Sequence, residues 1–360
     1  MAKKLGFGMV GLGEIAYTST GWVIPETTNC EMIVGMDPVE HVARSFQERF
    51  EIPCSTNLDD VLSHPGVDAV IVSTPHYLHV PLGIAAAKAG KHVIVEKPMA
   101  TTLEDADALI QACREAGVLC SSKEGGVRYH PAALKAKQLI EQGAIGEVMA
   151  TQVFGASNKP ESYWTGGYSG RVETEWRKHK AEAGGGILIM NYVYDIYRLR
   201  YLTGLEVVRV FAECDNYRTE GVEVEDFITL TLRYSNGALG TLTASSCAPG
   251  ADKSGIRGTK ASGNRFYGTE GQIVFDEGNL LVYTERDVDG LKGGEWTTLS
   301  FSQEEAGRAY VTYFERFAEA VASGGPVEIP GEEGRADLEV MLAAYRSGET
   351  HQPVELSVDR

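Results

Sequence analysis

A glycine-rich turn near the N-terminus has the residue types and spacing that bind the pyrophosphate of a dinucleotide. It reads Gly11-Leu12-Gly13-Glu14-Ile15-Ala16 and follows a buried strand predicted over residues 5–10. Gly11 would make the tight turn, Gly13 would let the phosphates approach the backbone, and Ala16 would let the next helix pack closely. Free N–H groups at the start of that helix would face the phosphates. The residues predicted to contact the cofactor in this turn are Gly11, Gly13, Glu14 and Ile15.

Asp37, at the end of the second predicted strand, indicates which dinucleotide binds. A carboxylate at this point accepts hydrogen bonds from the ribose hydroxyls and repels a 2′-phosphate. The next residue is Pro38 rather than an arginine, so the pattern predicts NAD in preference to NADP. Asp37 has a second interpretation, as the N-cap of a helix over residues 38–50 with Pro38 at its first position. The two roles are compatible.

Lys97 is the first candidate for the base that removes a hydroxyl proton during hydride transfer. It follows a buried strand predicted over residues 92–96, and so lies at the carboxyl edge of the sheet, where ligands of open α/β sheets bind. Partial burial beside a positively charged nicotinamide would lower the pKa of Lys97. The alternative is a surface lysine at a strand end, which is the commoner fate of lysine. Pro98 follows, and X-Pro bonds at such turns are sometimes cis.

Tyr194 is the second candidate for proton transfer. It lies on a predicted helix after Gly184-Gly185-Gly186, and the spacing of Met190, Tyr194 and Tyr197 predicts that they share one helix face. The alternative is that this stripe packs in the core and has no chemical role. Asp195 falls on a different side of the helix and is a secondary candidate.

Aromatic and basic residues before the triple glycine are candidates for substrate contacts. Trp164 lies in a glycine-rich loop, and an aromatic face suits the C–H face of a sugar. Arg177 and His179 belong to a basic segment that starts at Trp176. Solvated charge is the alternative interpretation of this segment, and surface packing is the alternative for Trp164.

Neither the histidines nor the cysteines predict a metal site. His76 and His79 are close in sequence, but no third ligand is indicated near them. The six cysteines include no Cys-x-x-Cys pair and no cluster with zinc-ligand spacing. We interpret them as reduced packing residues, which predicts a cytoplasmic protein.

Composition argues against two classes of function. The formal net charge of −17 argues against nucleic-acid binding, which needs a basic face. No segment has the length and hydrophobicity of a signal peptide or a membrane span, so no membrane association is expected. A chain of 360 residues, 43% of them hydrophobic, is expected to form two globular domains.

The elements that would position the N-terminal candidates alternate between strand and helix. Strands are predicted over residues 5–10, 31–36, 68–73, 92–96 and 118–121, and helices over residues 38–50, 81–88 and 102–116. Thr102 opens the last of these helices, and acids in its first turn suit the helix dipole. Strict alternation implies a parallel, doubly wound sheet.

The second half of the chain is dominated by strands. They are predicted over residues 148–154, 207–214, 226–234, 238–246, 272–275 and 280–283, with late helices over residues 310–322 and 335–345. Ser235-Asn236-Gly237 is a hairpin signal. A sheet with one helix-covered face and one open face is expected. The predicted domains are a dinucleotide-binding domain over residues 1–125 and a substrate-binding and oligomerisation domain over residues 126–360.

Further motifs, taken in chain order, resemble those of a known family. They are Ser73-Thr74-Pro75 with His79, Glu96-Lys97-Pro98, Arg128-Tyr129-His130-Pro131, Gly143-Ala144-Ile145-Gly146, Gly184-Gly185-Gly186 and Gly268-Thr269-Glu270-Gly271. Together they resemble the glucose–fructose oxidoreductase / inositol dehydrogenase (Gfo/Idh/MocA) family over essentially the whole chain. The resemblance implies an α/β plus α+β architecture, in which an N-terminal Rossmann sheet precedes a C-terminal open, mostly antiparallel sheet. It also implies a homo-oligomer formed through the open face.

The resemblance also implies the remaining site residues. The implied cofactor contacts are Ser73, Thr74, His79, Glu96 and Lys97. The implied substrate contacts are Lys97, Arg128, Trp164, Arg177, His179, Tyr194 and Asp195. Inositol dehydrogenases of the family have Asp where this chain has Met190 and His where it has Tyr194, which weakens a direct transfer of their mechanism. The glucose–fructose oxidoreductase branch has tyrosine at the second position, as here.

These expectations favour an NAD-dependent enzyme that oxidises a secondary hydroxyl of a sugar, glycoside or cyclitol to a ketone, with Lys97 and Tyr194 sharing proton transfer. A dihydrodiol dehydrogenase of aromatic catabolism is a second hypothesis. A non-catalytic NAD-binding regulator is a third. Lys97 favours an enzyme, whereas Met190 leaves the regulator hypothesis open.

Overall fold

The computed structural model describes residues 3–253, 263–276 and 278–357, which fall into two compact units. The first unit consists of Met1–Gly126, Glu161–Gly184 and Tyr310–Leu338, and the second of Val127–Pro160, Gly185–Ala309 and Glu339–Arg360. The single domain boundary predicted at residue 125 stays a prediction. The first unit ends its longest segment one residue later and also includes two later segments of the chain.

The first unit contains a six-stranded sheet in the order β3-β2-β1-β4-β5-β6, with every neighbouring pair parallel. Its strands are Leu5–Val10 (β1), Cys30–Met36 (β2), Cys54–Ser55 (β3), Ala69–Val72 (β4), His92–Val95 (β5) and Cys120–Ser122 (β6). Every residue of β1 and β4 is buried, as expected for a sheet covered on both faces. The predicted parallel, doubly wound sheet is confirmed, and its strand order is that of a Rossmann fold.

The helices predicted over residues 81–88, 102–116, 310–322 and 335–345 lie close to helices of the structure, which also has short helices that were not predicted. The α-helices are Gly21–Val23 (α1), Glu40–Phe50 (α2), Asp59–Leu62 (α3), His79–Lys88 (α4), Leu103–Ala116 (α5), Gly125–Arg128 (α6), Pro131–Glu141 (α7), Glu161–Trp164 (α8), Lys180–Ala183 (α9), Val193–Thr203 (α10), Gln303–Gly307 (α11), Ala309–Ser323 (α12) and Gly331–Thr350 (α13). Single turns of 3₁₀ helix lie at Ile24–Glu26, His76–Leu78 and Trp176–Lys178. Among the described residues, none of these helices combines the length and apolar character that a membrane crossing requires.

Two helix starts show how local chemistry sets a boundary. Thr102 is the N-cap of α5, and its side chain accepts a hydrogen bond from the backbone N–H of Asp105, as predicted. The helix predicted over residues 38–50 instead begins at Glu40, with an extended Val39 as its N-cap. The predicted N-cap position of Asp37 is therefore wrong. Its carboxylate accepts the N–H of Val39 in a local turn that precedes the helix.

The second unit contains a nine-stranded sheet in the order β14-β13-β12-β11-β7-β10-β9-β8-β15. Its strands are Val148–Ala156 (β7), Val207–Asp215 (β8), Phe227–Tyr234 (β9), Leu239–Ser245 (β10), Gly263–Gly268 (β11), Gly271–Asp276 (β12), Asn279–Thr284 (β13), Trp296–Leu299 (β14) and Val354–Glu355 (β15). Only β7 and β10 pair in parallel among these described strands, which confirms a mostly antiparallel sheet.

The two faces of this sheet differ in burial. Along β9 the side chains of Ile228, Leu230 and Leu232 are buried, whereas Thr229 and Thr231 between them are exposed. Such alternation is typical of a sheet packed on one face only. The hairpin predicted before β10 is confirmed, with Gly237 in the left-handed region at a φ of 88°.

Candidate functional site

Gly11 makes the tight turn at the end of β1. Its φ is +88°, and a Cβ at this position would lie 2.6 Å from the backbone oxygen of Ser73. Both the conformation and the close approach of two chain segments require glycine. The hydroxyl of Ser73 beside this turn is buried and has no hydrogen-bond partner within the described part of the chain. An orphaned polar atom next to a phosphate-type turn suits a polar ligand.

Gly13 is only loosely packed against the rest of the protein. A Cβ at Gly13 would have the side chain of Val172 as its nearest neighbour, at 4.0 Å. Glycine here is therefore not required by packing within the protein, and it leaves the backbone accessible to an outside group. The chain continues at Ala16–Thr20 as a π-helical turn, a feature that is frequent at functional sites. This turn fits the pyrophosphate of a dinucleotide.

Asp37 connects the end of β2 to the same turn. One carboxylate oxygen accepts the backbone N–H of Leu12 at 2.9 Å, and the other accepts that of Val39 at 3.0 Å. A carboxylate has about four lone-pair positions, so two remain for ribose hydroxyls. The phosphate turn and the carboxylate of Asp37 were both predicted at the cofactor, and a hydrogen bond joins them directly.

His79 holds the loop after β4 against the turn after β5. One ring nitrogen lies 2.8 Å from the backbone oxygen of Pro98, and the other lies 2.9 Å from that of Thr74. The Lys97–Pro98 peptide bond is cis. Burial lowers the pKa of His79, although both of these hydrogen bonds raise it. His79 therefore lies between the loop after β4 and the residue that follows Lys97, and in its neutral form it donates to one of these two oxygens.

His76 has a similar buried setting, which sequence reasoning had considered only as half of a metal pair. One of its ring nitrogens lies 2.7 Å from the backbone oxygen of Ala183, and its ring centroid lies 4.4 Å from that of Trp176. Burial lowers the pKa of His76 well below its usual value, and nearby Lys97 and Arg177 lower it further. No group of three potential metal ligands occurs within the described residues.

Lys97 lies partly buried at the end of β5 in a mixed electrostatic environment. The pKa of Lys97 is lowered from 10.5 to about 8, mainly by burial and also by the positive charges of Arg177 and Lys123, while Glu96 opposes the change. A lysine with this pKa is partly neutral at physiological pH and is able to accept a proton. This is the property that sequence analysis predicted for Lys97.

Glu96 and Lys123 form a buried ion pair beside Lys97. Their side-chain atoms Oε1 and Nζ are 2.5 Å apart, and Lys123 also donates to the hydroxyl of Thr20 at 2.8 Å. Burial raises the pKa of Glu96, but the positive charges of Lys123 and Lys97 lower it more strongly. Glu96 is therefore an anion, and most of its charge is balanced by Lys123. Lys123 was not singled out from sequence, since it follows the short strand β6 and matches no motif.

The segment Glu161–Gly184 of the first unit carries the other predicted residues of this region. Arg177 donates to the backbone oxygen of Tyr163 at 3.2 Å, and its guanidinium lies 4.5 Å from the ring centroid of Trp176. Trp164 is only 2% exposed, so most of its aromatic surface packs inside the protein. His179 is partly exposed and precedes α9. Their predicted substrate contacts stay predictions.

The second unit carries the helix that was predicted to present Tyr194. This helix begins with a π-helical turn, Leu188–Tyr192, and continues as α10. Met190 lies in this π-helical turn and Tyr194 in α10, and the predicted shared face of Met190, Tyr194 and Tyr197 stays a prediction. Met190 and Tyr197 are 2% and 1% exposed, whereas Tyr194 is partly exposed. The interpretation that this stripe packs in the core therefore holds for Met190 and Tyr197. Tyr194 is more exposed than either of them.

Asp195 and Arg128 have identified partners within the second unit. The Oδ1 atom of Asp195 accepts hydrogen bonds from Arg198 at 2.6 Å and from Asn264 at 2.9 Å. The guanidinium of Arg128 lies 4.7 Å from the ring centroid of Tyr201. These contacts are structural, and the predicted roles of Asp195 and Arg128 toward a substrate stay predictions.

Glu225 is a buried group that sequence reasoning missed. Its carboxylate accepts backbone N–H groups from Gly186 at 2.6 Å and Leu188 at 2.9 Å, and the hydroxyl of Tyr345 at 2.9 Å. A Cβ at Gly186 would lie 1.9 Å from the backbone oxygen of Glu225, which explains a glycine at that point. Glu225 thus fixes the start of the helix that carries Tyr194. The triple glycine precedes this helix in the sequence, but nothing in the sequence identified Glu225 as its neighbour.

Two family models match the chain. Residues 5–124 match the model described as the oxidoreductase family with an NAD-binding Rossmann fold. Residues 133–274 match the model of the GFO/IDH/MocA C-terminal domain. The matched segments include the phosphate turn, Lys97 and the helix that carries Tyr194.

Known proteins are similar over nearly the full length. The chain is 28% identical to scyllo-inositol 2-dehydrogenase (NAD(+)) of Bacillus subtilis (strain 168), over 100% of this chain and 98% of that protein. It is 28% identical to 1,5-anhydro-D-fructose reductase of Ensifer adhaerens, over 97% of this chain and 98% of that protein. The solved structure of levoglucosan dehydrogenase in complex with NADH and levoglucosan matches with a TM-score of 0.82 at 25% identity, covering 98% of this chain and 99% of that chain.

Proposed function

This chain belongs to the Gfo/Idh/MocA family of oxidoreductases, and from that premise we propose how it carries out an NAD-dependent oxidation of a CH–OH group. The substrate class that fits is a sugar, glycoside or cyclitol with a secondary hydroxyl, since the relatives named above act on inositol, anhydrofructose and levoglucosan. NAD is the cofactor, and it fits the loosely packed turn at Gly13 and the carboxylate of Asp37.

The observation that carries this proposal is the lowered pKa of Lys97, about 8, at the carboxyl edge of the Rossmann sheet. Neutral Lys97 accepts the proton of the substrate hydroxyl as the C–H bond is broken. NAD, when bound, supplies the acceptor for the hydride. The resulting ammonium of Lys97 is stabilised by the carboxylate of Glu96, whose charge raises the Lys97 pKa.

Other residues of the first unit position this base. Glu96 is held by Lys123 in a buried ion pair, and His79 lies within hydrogen-bond distance of the backbone oxygen of Pro98, the residue after Lys97. Arg177 adds a positive charge that keeps Lys97 partly neutral. Replacing Glu96 would lower the pKa of Lys97, and replacing Arg177 or Lys123 would raise it.

Tyr194 of the second unit is proposed as the second proton-transfer group, supported by its partial exposure between two buried neighbours on the same helix. The proposed substrate contacts are Lys97, Arg128, Trp164, Arg177, His179, Tyr194 and Asp195. Contacts of Ser73, Thr74, Glu14, Ile15 and His79 with the cofactor are likewise proposed.

The two alternative functions are less favoured. A dihydrodiol dehydrogenase would share the base and the cofactor, but the named relatives act on sugars and cyclitols. A non-catalytic regulator would not need a lysine of lowered pKa at the cofactor edge. Only turnover of a substrate separates an enzyme from a regulator.

The open sheet face is proposed to join copies of this chain. Phe154 and Leu239 on neighbouring strands are 41% and 52% exposed, and they lie on the same face as Thr231 and Thr241. Large exposed apolar side chains on a regular sheet favour association. A cytoplasmic location is proposed from the cysteines, which are thiols and not disulfides in the described part of the structure.

The deciding experiment is a spectrophotometric screen for NADH formation with a panel of sugars, glycosides, cyclitols and dihydrodiols. The wild-type protein is expected to reduce NAD with at least one sugar or cyclitol. Lys97→Met should abolish most of that rate, whereas Lys88→Met, which changes an exposed lysine at the end of α4, should not. NADH formation with dihydrodiols alone would favour the second hypothesis, and NAD binding without any turnover would favour a regulator.

A further inference from the structure

A loop of the first unit lies directly on the phosphate turn. We call residues 165–174 the clasp loop, because its two ends meet where the backbone N–H of Thr174 donates to the oxygen of Thr165 at 3.1 Å. Gly166 has a φ of +149°, and a Cβ there would lie 1.7 Å from the backbone oxygen of Val172. Gly167 has a φ of +130°, and a Cβ there would lie 3.0 Å from the side chain of Glu14. Both glycines are thus required for the loop to fold back and approach the turn.

Ser169 of the clasp loop binds a residue of the phosphate turn itself. Its backbone N–H donates to the Oε2 atom of Glu14 at 3.2 Å, and its hydroxyl makes a second, short hydrogen bond to the same oxygen. Glu14 follows Gly13, at the point where the diphosphate of a dinucleotide would approach. Left without these donors, the carboxylate would repel that diphosphate.

Arg171 of the clasp loop connects the turn to helix α2. Its guanidinium donates to the backbone oxygen of Leu12 at 3.3 Å and to that of Val42 at 3.2 Å, and to the hydroxyl of Ser45 at 2.7 Å. The same guanidinium lies 3.6 Å from the ring centroid of Tyr17. Leu12 is the residue whose N–H is held by Asp37. Arg171 therefore spans the segment between the phosphate-binding and ribose-binding positions.

A side chain with these contacts differs from an ordinary solvated surface arginine. Burial lowers the pKa of Arg171, and the nearby charges of Glu14 and Asp37 oppose that effect. The backbone oxygen of Arg171 also lies 3.1 Å from a ring nitrogen of His41 on α2. The chain as a whole has a net charge of −17, so a fixed cation here offsets local repulsion of an anionic cofactor.

We infer that the clasp loop retains the bound dinucleotide, with Ser169 holding the carboxylate of Glu14 in place and Arg171 holding the loop across the cofactor-binding edge. The inference rests on the NAD binding stated above. Arg171 and Ser169 are positioning residues, because they act on the cofactor through Glu14, Leu12 and α2. Release of NAD or NADH then requires the hydrogen bonds of the clasp loop to break first.

The test measures the rate of NADH release by stopped-flow fluorescence and the affinity for NAD by titration. Arg171→Ala and Ser169→Ala should each release NADH roughly tenfold faster or more, the effect of losing one or two hydrogen bonds to a charged group. Arg171→Lys should recover only part of the loss, since lysine cannot bond several acceptors in one plane. Arg44→Ala, at an exposed arginine of α2, is the matched control and should leave the release rate unchanged.

A double-variant comparison separates the proposed role from loss of folding. In a Glu14→Gln background the repulsive charge is gone, so Ser169→Ala should have a much smaller effect on NADH release than in the wild type. Equal effects in both backgrounds would overturn the role of Ser169, and unchanged release in Arg171→Ala would overturn that of Arg171. If Arg171→Ala does not fold, the rate of NADH release from Arg171→Lys tests the role of Arg171. A rate equal to that of the wild type would overturn that role. Failure of the wild-type protein to bind NAD would instead contradict the proposed function.

Discussion

The carboxylate of Asp37 accepts the backbone N–H of Leu12 at 2.9 Å, which joins the end of β2 to the phosphate turn. The residue proposed to select NAD by charge therefore also holds the turn that binds its pyrophosphate. A change at Asp37 consequently has two effects, one on cofactor preference and one on cofactor affinity. The two effects can be compared because an amide keeps one acceptor oxygen for the N–H of Leu12, whereas it loses the charge and the second acceptor.

The first prediction uses this difference. Asp37→Asn should narrow the preference for NAD over NADP by about 1–3 kcal/mol, the usual range for hydrogen bonds to a charged group, and should keep more NAD affinity than Asp37→Ala. Titration of each protein with both cofactors measures the two quantities. The exposed acid Glu48 of α2 supplies a control variant, Glu48→Gln. Equal affinity of the wild type for NAD and NADP would contradict the assignment.

The second prediction concerns the pH dependence of turnover. Burial lowers the pKa of Lys97 to about 8, so its neutral form increases as the pH rises through that value. Alcohol oxidation, which needs the neutral base, should speed up across this range, and ketone reduction, which needs the ammonium, should slow down. Lys97→Ala should lower turnover by roughly 10²–10⁴-fold and leave NAD affinity largely intact.

The measurement is kcat/KM against pH in both directions, for the wild type and for Arg177→Gln. Removing the positive charge of Arg177 should move the Lys97 pKa upward, since Arg177 now lowers it. A profile that is flat near this pH, or that does not move in Arg177→Gln, would remove Lys97 from the role of base.

The parts of the fold that follow local rules were predictable from sequence. The strand at Leu5–Val10 has the predicted bounds, because a run of buried residues ends at a glycine that must turn. The helix at Leu103–Ala116 was predicted from its N-cap and first-turn acids. Lys97 was predictable because its position depends only on the strand before it.

The rest of the candidate site depends on contacts between distant residues. Glu225 accepts a hydrogen bond from Gly186, which lies 39 residues away in the sequence. Ser169 donates one to Glu14, which lies 155 residues away. Neither pairing leaves a periodic or local signal. The π turn at Leu188–Tyr192 is likewise a feature that the helical periodicity of the sequence does not reveal.

The third prediction concerns the open sheet face. If it joins copies of the chain, Leu239→Lys together with Thr231→Lys should lower the molecular mass measured by light scattering, because two buried charges would oppose association. Both residues are exposed in the structure, so the folded unit itself should tolerate the change. Lys substitutions at Thr18 and Glu48, which are exposed in the first unit, are the control. An unchanged mass, or a wild type that is already monomeric, would contradict the proposed interface.

The fourth prediction concerns Glu225. Burial raises its pKa to about 7, although the N–H groups of Leu188 and Gly186 and the hydroxyl of Tyr345 lower it. Because the folded-state pKa lies above the unfolded one, the stabilising contribution is complete below the unfolded pKa and is lost as the pH rises toward about 7. Glu225→Gln removes this titration, so the midpoint of thermal unfolding should depend less on pH over the range that ends at about pH 7.

Glu225→Gln also leaves one of the two backbone N–H groups facing an amide N–H. An unsatisfied buried donor costs about 1–3 kcal/mol, so the thermal midpoint should fall at every pH. Tyr345→Phe is the matched variant, since it removes one donor and leaves the carboxylate. A midpoint equal to that of the wild type would show that Glu225 does not fix this helix start.

The last prediction tests Tyr194, whose helix Glu225 fixes at its start. A free tyrosine titrates near pH ~10 and is a poor base at neutrality, so it transfers a proton only if positive charge stabilises its phenolate. Tyr194→Phe keeps the ring and deletes only the hydroxyl. Turnover should fall much more than the affinity for substrate or NAD, because the lost interaction belongs to the transition state. Tyr197→Phe, at a buried tyrosine on the same helix, is the control and should change stability more than turnover. If Tyr194→Phe turns over at the wild-type rate, Tyr194 has a packing role, and His179 and Asp195 become the next residues to test.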